Sequence, residues 1–197
     1  MTQYKKQSKF RYGFKKWADD TAIRFRLDLG LKSNDPLCAF RLSEYLDVPI
    51  LTPHDVPGMS HNHLNQLLVE ASAKWSAATI PVTDDKYIIL HNPNHSEARQ
   101  QSNLMHELAH VICGHKVPVA TIATGLSGFL RNHDDSQENE AEWLGGCLQL
   151  PRTALIWALK NHMSHQEIAD RFNASEEMVK YRINKTGVKI QLGRWKH

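Results

Sequence analysis

Cysteine is scarce in this chain. Of its 197 residues only Cys38, Cys113 and Cys147 are cysteines, far apart and without C-x-x-C spacing. Neither a disulfide framework nor a thiolate zinc site is indicated, and reduced thiols in a reducing compartment are the plain reading. Long apolar runs are missing too: nothing approaches the roughly 18 consecutive apolar residues of a membrane span. The opening segment MTQYKKQSKFRYGFKKW is basic, but no apolar run of signal-peptide length follows it, so the sequence argues for a cytoplasmic protein. An excess of one charge is also lacking, the formal balance being +3. Lys5, Lys6, Lys9, Arg11, Lys15 and Lys16 crowd the first segment, where a solvated tail is expected.

What is present is the composition of a soluble globular protein, 41% hydrophobic and 23% charged. The length suits one domain with a buried core plus a small appended module. Apolar residues among charges predict a helix over 14–29, stopped by Gly30, and a second over 37–47 after the turn Ser33-Asn34-Asp35-Pro36. Pro49, Pro53 and Pro57 make 48–63 extended chain or loop. Two β-rich runs, 75–80 and 87–90, flank the turn-forming Thr83-Asp84-Asp85-Lys86 and predict a small antiparallel sheet. A helix over 95–113 follows, with Asn94 and Glu97 as a capping box and Gly114 as its stop. Residues 117–133 have no clear period beyond a short strand over 117–122. Helices are expected over 136–150 and from Pro151 to Asn161. A short one is opened by the capping box Ser164/Glu167, and another is opened by Ser175 and stopped at Gly187. The fold class is α+β and mainly helical. The chain divides into a basic helical segment (1–30), a central domain (31–151) and a helical tail (152–197).

In the 95–113 helix, His106 and His110 stand four residues apart, which at about 3.6 residues per turn puts both imidazoles on one face. One metal ion can receive both. Glu107 sits beside that face, where its carboxylate can act as general base on a water rather than as a ligand. Ala98, Met105, Leu108, Ala109 and Ile112 form the opposite, core-facing stripe. A catalytic zinc takes a third protein ligand and keeps an open position. His115 does not fit the extended pattern, because Cys113 and Lys116 stand where Gly and His are required. Glu138, Glu140 and Glu142, at the start of the next helix, remain as candidates, and Ala141, Gly145 and Gly146 would let that helix approach closely. Cys113 reads as a buried structural thiol. His61, His63, His91, His95, His115 and His165 carry no assigned role.

The pieces Tyr87-Ile88-Ile89-Leu90, His106-Glu107-Leu108-Ala109-His110, Glu138-Asn139-Glu140-Ala141 and Leu148-Gln149-Leu150-Pro151 resemble the ImmA/IrrE metallopeptidases. That family joins a strand, an H-E-x-x-H helix and a later E-x-x-A helix ending in a Leu-Met-Pro-like stop. The resemblance implies a zincin-like domain, Zn2+ as cofactor and Glu138 as third ligand, with Glu140 in reserve and Glu138 otherwise serving a capping box with Asp135. Glu142, one turn on, could accept a hydrogen bond from a ligand histidine. The implied activity is narrow endopeptidase cleavage of a regulatory protein such as a DNA-binding transcriptional repressor. An extended substrate would pair with the strand at 87–90.

The tail also has helix-turn-helix spacing, with 166–172, the turn Asn173-Ala174-Ser175, and 176–186. Glu176 and Glu177 would open the recognition helix against phosphates, and Lys180, Arg182 and Lys185 compensate only in part. Packing or partner binding is therefore the favoured role of the tail, with DNA binding as the rival and a non-catalytic metal site as a further alternative.

Overall fold

The computed structural model describes residues 9–116 and 134–194; the short strand expected over 117–122 lies outside them. Helix α1 (Phe14–Asp28) begins after Gly13, which holds φ 79°, and buries Phe14, Ala18, Ala22 and Phe25 as one stripe. After α2 (Ala39–Tyr45) comes the two-residue strand β1 (Ile50–Leu51). Helix α3 (His61–Asn65) then runs into a single π-helical turn, Gln66–Glu70. The predicted hairpin forms as β2 (Ala77–Thr83) and β3 (Lys86–His91). Six helices complete the chain: α4 (Glu97–Cys113), α5 (Asp135–Gln149), α6 (Arg152–Lys160), α7 (His165–Phe172), α8 (Glu176–Thr186) and α9 (Val188–Arg194). No helix among the described residues is long and apolar enough to cross a membrane.

The sheet is mixed rather than wholly antiparallel. Its order is β1-β3-β2, with β1 parallel to β3 (Ile50 opposite Ile89) and β2 antiparallel to it (Thr79 opposite Ile89). β3 is thus central, with β2 along one edge and β1 against the other at Ile89 and Leu90, so an added peptide cannot pair with the strand at those two residues as expected. The longer of the two outer edges belongs to β2, which pairs with no further strand among the described residues and where Pro81 is tolerated because an edge strand need not donate at every position.

One apolar core joins α1, α2, β3, α4 and α5 through Phe14, Leu42, Ile89, Leu104, Met105, Leu108, Leu144 and Leu148. Burying each of these large side chains contributes on the order of 2 kcal/mol. A second core, with Leu150, Leu155, Ile168, Phe172, Val179 and Ile183, holds the last helices together. Two fully buried arginines tie the end of α5 to its surroundings. Arg26 donates to the carbonyls of Leu148 (2.6 Å), Ala22 (2.9 Å) and Asp35 (2.8 Å). It therefore satisfies a terminal α5 carbonyl and sets a cation at the negative end of that helix. Burial pulls the guanidinium down to about 10, against the opposing pull of Cys147 and Asp35, so it stays charged at neutral pH. Arg182 donates to the Leu150 carbonyl from Nε (3.2 Å) and Nη2 (3.1 Å). Its room comes from Gly146, where a Cβ would stand 2.9 Å from Arg182 Cδ.

Two expected caps differ. Ser96, not Asn94, precedes α4, because Asn94 turns away to donate to the Leu68 carbonyl at 2.8 Å. Asp134, not Asp135, caps α5 by accepting from the Ser136 N–H at 2.8 Å.

Candidate metal centre

Helix α4 turns its apolar stripe to the core and its histidines toward α5. His106 and His110 face each other through their Nε2 atoms at 3.1 Å. Glu138, from the first turns of α5, spans the pair: Oε2 lies 3.3 Å from His106 Nε2 and Oε1 lies 3.3 Å from His110 Nε2. The helices approach this closely because Gly145 lies against the backbone of α4, where a Cβ would be 3.1 Å from Cα and N of His106 and from the Met105 carbonyl oxygen. His110 is buried, while His106 and Glu138 are about a third exposed, so the trio opens to solvent on one side. Burial lowers the His106 imidazole, but its bond to Glu138 and the charges of Glu107, Glu138 and Glu142 outweigh that and raise it above its ordinary value.

Glu107 points to the sheet. Thr79, on the outer strand β2, donates to Glu107 Oε2 from its backbone N (2.9 Å) and from its hydroxyl (2.7 Å). Both bonds fall on one oxygen. The carboxylate is therefore fixed against the outer edge of β2, where it takes up the Thr79 N–H. Nothing in the spacing of the sequence singled out Thr79, because the contact depends on how β2 crosses α4.

The other carboxylates divide. Glu140, the reserve ligand, is buried and faces away from the trio, with Oε2 3.3 Å from His115 Nε2 and Oε1 3.4 Å from Arg11 Nε. Glu142 accepts from the Tyr181 hydroxyl at 2.6 Å, which ties α5 to α8. His115, left without a role by its spacing, stands with Nδ1 3.0 Å from His110 Nδ1. Cys113, His115 and Glu140 form a second group of potential metal donors. Burial and Glu140 push the Cys113 thiol up to about 12, against Arg11. The first segment is not wholly a solvated tail. Arg11 reaches Glu140, and the Lys15 ammonium lies 4.2 Å from the Trp143 ring centre, while Lys5 and Lys6 lie outside the described residues.

In the tail, α7 and α8 meet at Asn173, whose left-handed φ of 45° makes the turn. Arg182, which the spacing had offered to phosphates, is fully buried, and Lys180 pairs with Glu176 at 2.8 Å.

No curated protein and no solved structure matches the chain. A family model does, over residues 62–184, a span that runs from α3 through most of α8 and includes every residue of the trio. The chain therefore belongs to the Peptidase_M78 family, described as the IrrE N-terminal-like domain.

Proposed function

We propose that this chain is a zinc-dependent endopeptidase in which His106, His110 and Glu138 hold the ion and Glu107 is the general base. One observation carries the reading: the convergence of two imidazole nitrogens and one carboxylate on the same point between α4 and α5. Donors on a tetrahedral zinc with bonds of about 2.0–2.1 Å stand about 3.3–3.4 Å apart; here the two imidazole Nε2 atoms are 3.1 Å apart and each has one oxygen of the Glu138 carboxylate at 3.3 Å, Oε2 for His106 and Oε1 for His110. Two imidazoles and one carboxylate are also a donor set that catalytic zinc uses, with room left for water.

When bound, zinc supplies Lewis acidity, making a water nucleophilic near neutral pH and polarising the scissile carbonyl. The chain's own residues do the rest. Thr79 occupies Oε2 of Glu107, so among the described residues Oε1 is left to take a proton from the attacking water and pass it to the leaving amine. An extended peptide laid along the outer edge of β2 would bond on either side of Thr79, whose own N–H is taken by Glu107, and this would align a backbone carbonyl beside Glu107. The partner is accordingly a protein substrate. The family resemblance favours a DNA-binding repressor, cut at one or few sites. The free thiols Cys38, Cys113 and Cys147 suit the reducing cytoplasm.

Co-incubation of zinc-loaded protein with repressors encoded near this chain should give discrete fragments, and none with Glu107→Gln. Casein should hardly be cut; efficient degradation of arbitrary unfolded protein would sink the narrow-specificity reading. DNA binding by the tail is not favoured, since α8 opens with Glu176 and Glu177 and buries Arg182.

A further inference from the structure

The end of α4 is closed by a backbone motif that puts an imidazole where a hydrophobic contact normally sits. Gly114, at φ 65°, reverses the chain. Its N–H then donates to the Val111 carbonyl (3.0 Å) and the His115 N–H to the His110 carbonyl (3.0 Å). This pair of bonds is the Schellman arrangement, which brings the second residue past the helix against the residue three from its end. Here those two residues are His115 and His110. Their rings meet edge to face with centroids 5.1 Å apart and Nδ1 atoms 3.0 Å apart. The far side of His115 rests on Glu140, itself held by Arg11.

We propose that His115 and Glu140 are positioning residues that fix the tautomer and aim of His110. The inference rests on the reading of His106, His110 and Glu138 as the zinc site. Each ring nitrogen of a neutral imidazole is either donor or acceptor. With His110 Nε2 turned to the trio as a lone pair, its Nδ1 carries the proton and donates to His115 Nδ1. His115 must then be protonated at Nε2, and that N–H donates to the Glu140 carboxylate. One assignment satisfies every atom of the chain from Glu140 to the ion. Both nitrogens of His115 are thereby engaged, so Cys113, His115 and Glu140 do not form a second metal site. A ligand histidine held through its other nitrogen binds metal more tightly because its ring cannot turn away.

The test is zinc affinity by chelator competition, with metal content and the nitrogen-bound protons of the histidines followed by NMR in zinc-loaded protein. An asparagine amide oxygen falls near the place of a histidine Nδ1, and a glutamine's falls near that of Nε2. His115→Asn should thus keep the acceptor for His110 and stay within a few-fold of wild type. His115→Gln and His115→Leu should weaken zinc by about 10–100-fold, and Glu140→Gln by roughly the lower end of that range. Wild type should show an exchange-protected His110 Nδ1–H that His115→Leu loses; if the leucine variant fails to fold, the Asn and Gln pair decides. Equal affinity for Asn and Gln, no protected proton in wild type, or two zinc ions per chain would each overturn the proposal. Failure of wild type to bind any zinc, or full binding after His106→Ala, would overturn the site itself and this inference with it.

Discussion

Glu107 is gripped by one oxygen, and that asymmetry separates substitutions that otherwise look alike. Glu107→Gln still offers Thr79 an amide oxygen, so it should bind zinc like wild type while hydrolysis falls by about 10²–10⁴-fold. Thr79→Val removes the 2.7 Å hydroxyl bond and keeps the backbone one. Single-turnover cleavage should drop by about tenfold, the worth of one hydrogen bond to a charged group, with metal content unchanged; loss of zinc would show that Thr79 supports the fold instead. Glu138→Gln should cost more zinc affinity than Glu140→Gln, since it loses a bond to the ion itself, and the reverse order would move the third ligand to Glu140. His106, Glu107 and His110 were legible in the sequence because a four-residue spacing is a property of any helix. His115 was not, since five residues on is no helical neighbour. Its approach needs the left-handed Gly114, and the glycine stop, read with His110 three residues from the helix end, held that information unused. Glu140 and Thr79 could not be read at all, because their contacts depend on how α5 and β2 are rotated against α4.

At the scale of elements, the meeting of α4 and α5 depends on a missing side chain. Gly145→Ala sets a Cβ 3.1 Å from main-chain atoms of His106 and Met105, which cannot swing aside as a flexible side chain can. The helices must separate by a few tenths of an ångström, and Glu138 then reaches the two histidines less well. Zinc affinity should fall by about tenfold although no ligand is altered; unchanged affinity would mean that α4 and α5 adapt without cost. Helix α7 offers a pH-dependent element. Bonds from the Ser164 backbone and hydroxyl lower the Glu167 carboxyl. A lowered folded-state value gives stability that is present above the ordinary glutamate range and lost as pH falls through that value. Glu167→Gln should therefore be the less stable protein at pH 7, with the gap closing in acid; urea melts that stay parallel down to pH 3 would contradict this. The helices with buried stripes and the β2–β3 hairpin were legible from periodicity. The α3 and π-helical stretch was missed because it buries no residue and so leaves no apolar pattern. The strand β1 was hidden by its two-residue length among prolines.

For the molecule as a whole, the end of α5 is the junction, with Arg26 reaching it from α1 and Arg182 from α8. Arg26→Met strands the carbonyls of Leu148 and Asp35, each costing about 1–3 kcal/mol if left unpaired, so denaturant melts should show a net loss of at least about 2 kcal/mol. Arg182→Met should likewise destabilise, with no change in affinity for duplex DNA; a DNA-binding defect at full stability would reinstate the tail as a nucleic-acid reader. The sequence disclosed Arg182 only as a positive charge on a helix, because nothing in a single chain announces that a glycine on another helix has made room for it. The proposed zinc donors, too, come from two helices, and on that reading the ion is a reversible cross-link of the tertiary structure. A zinc ion held by the assembled trio and not by the loose chain would, at a free concentration 100 times its dissociation constant, stabilise the fold by about 2.7 kcal/mol. The protein's resistance to unfolding and to proteolysis would then follow the zinc supply, so that a cell short of the metal would hold fewer copies of the protein as well as idle ones.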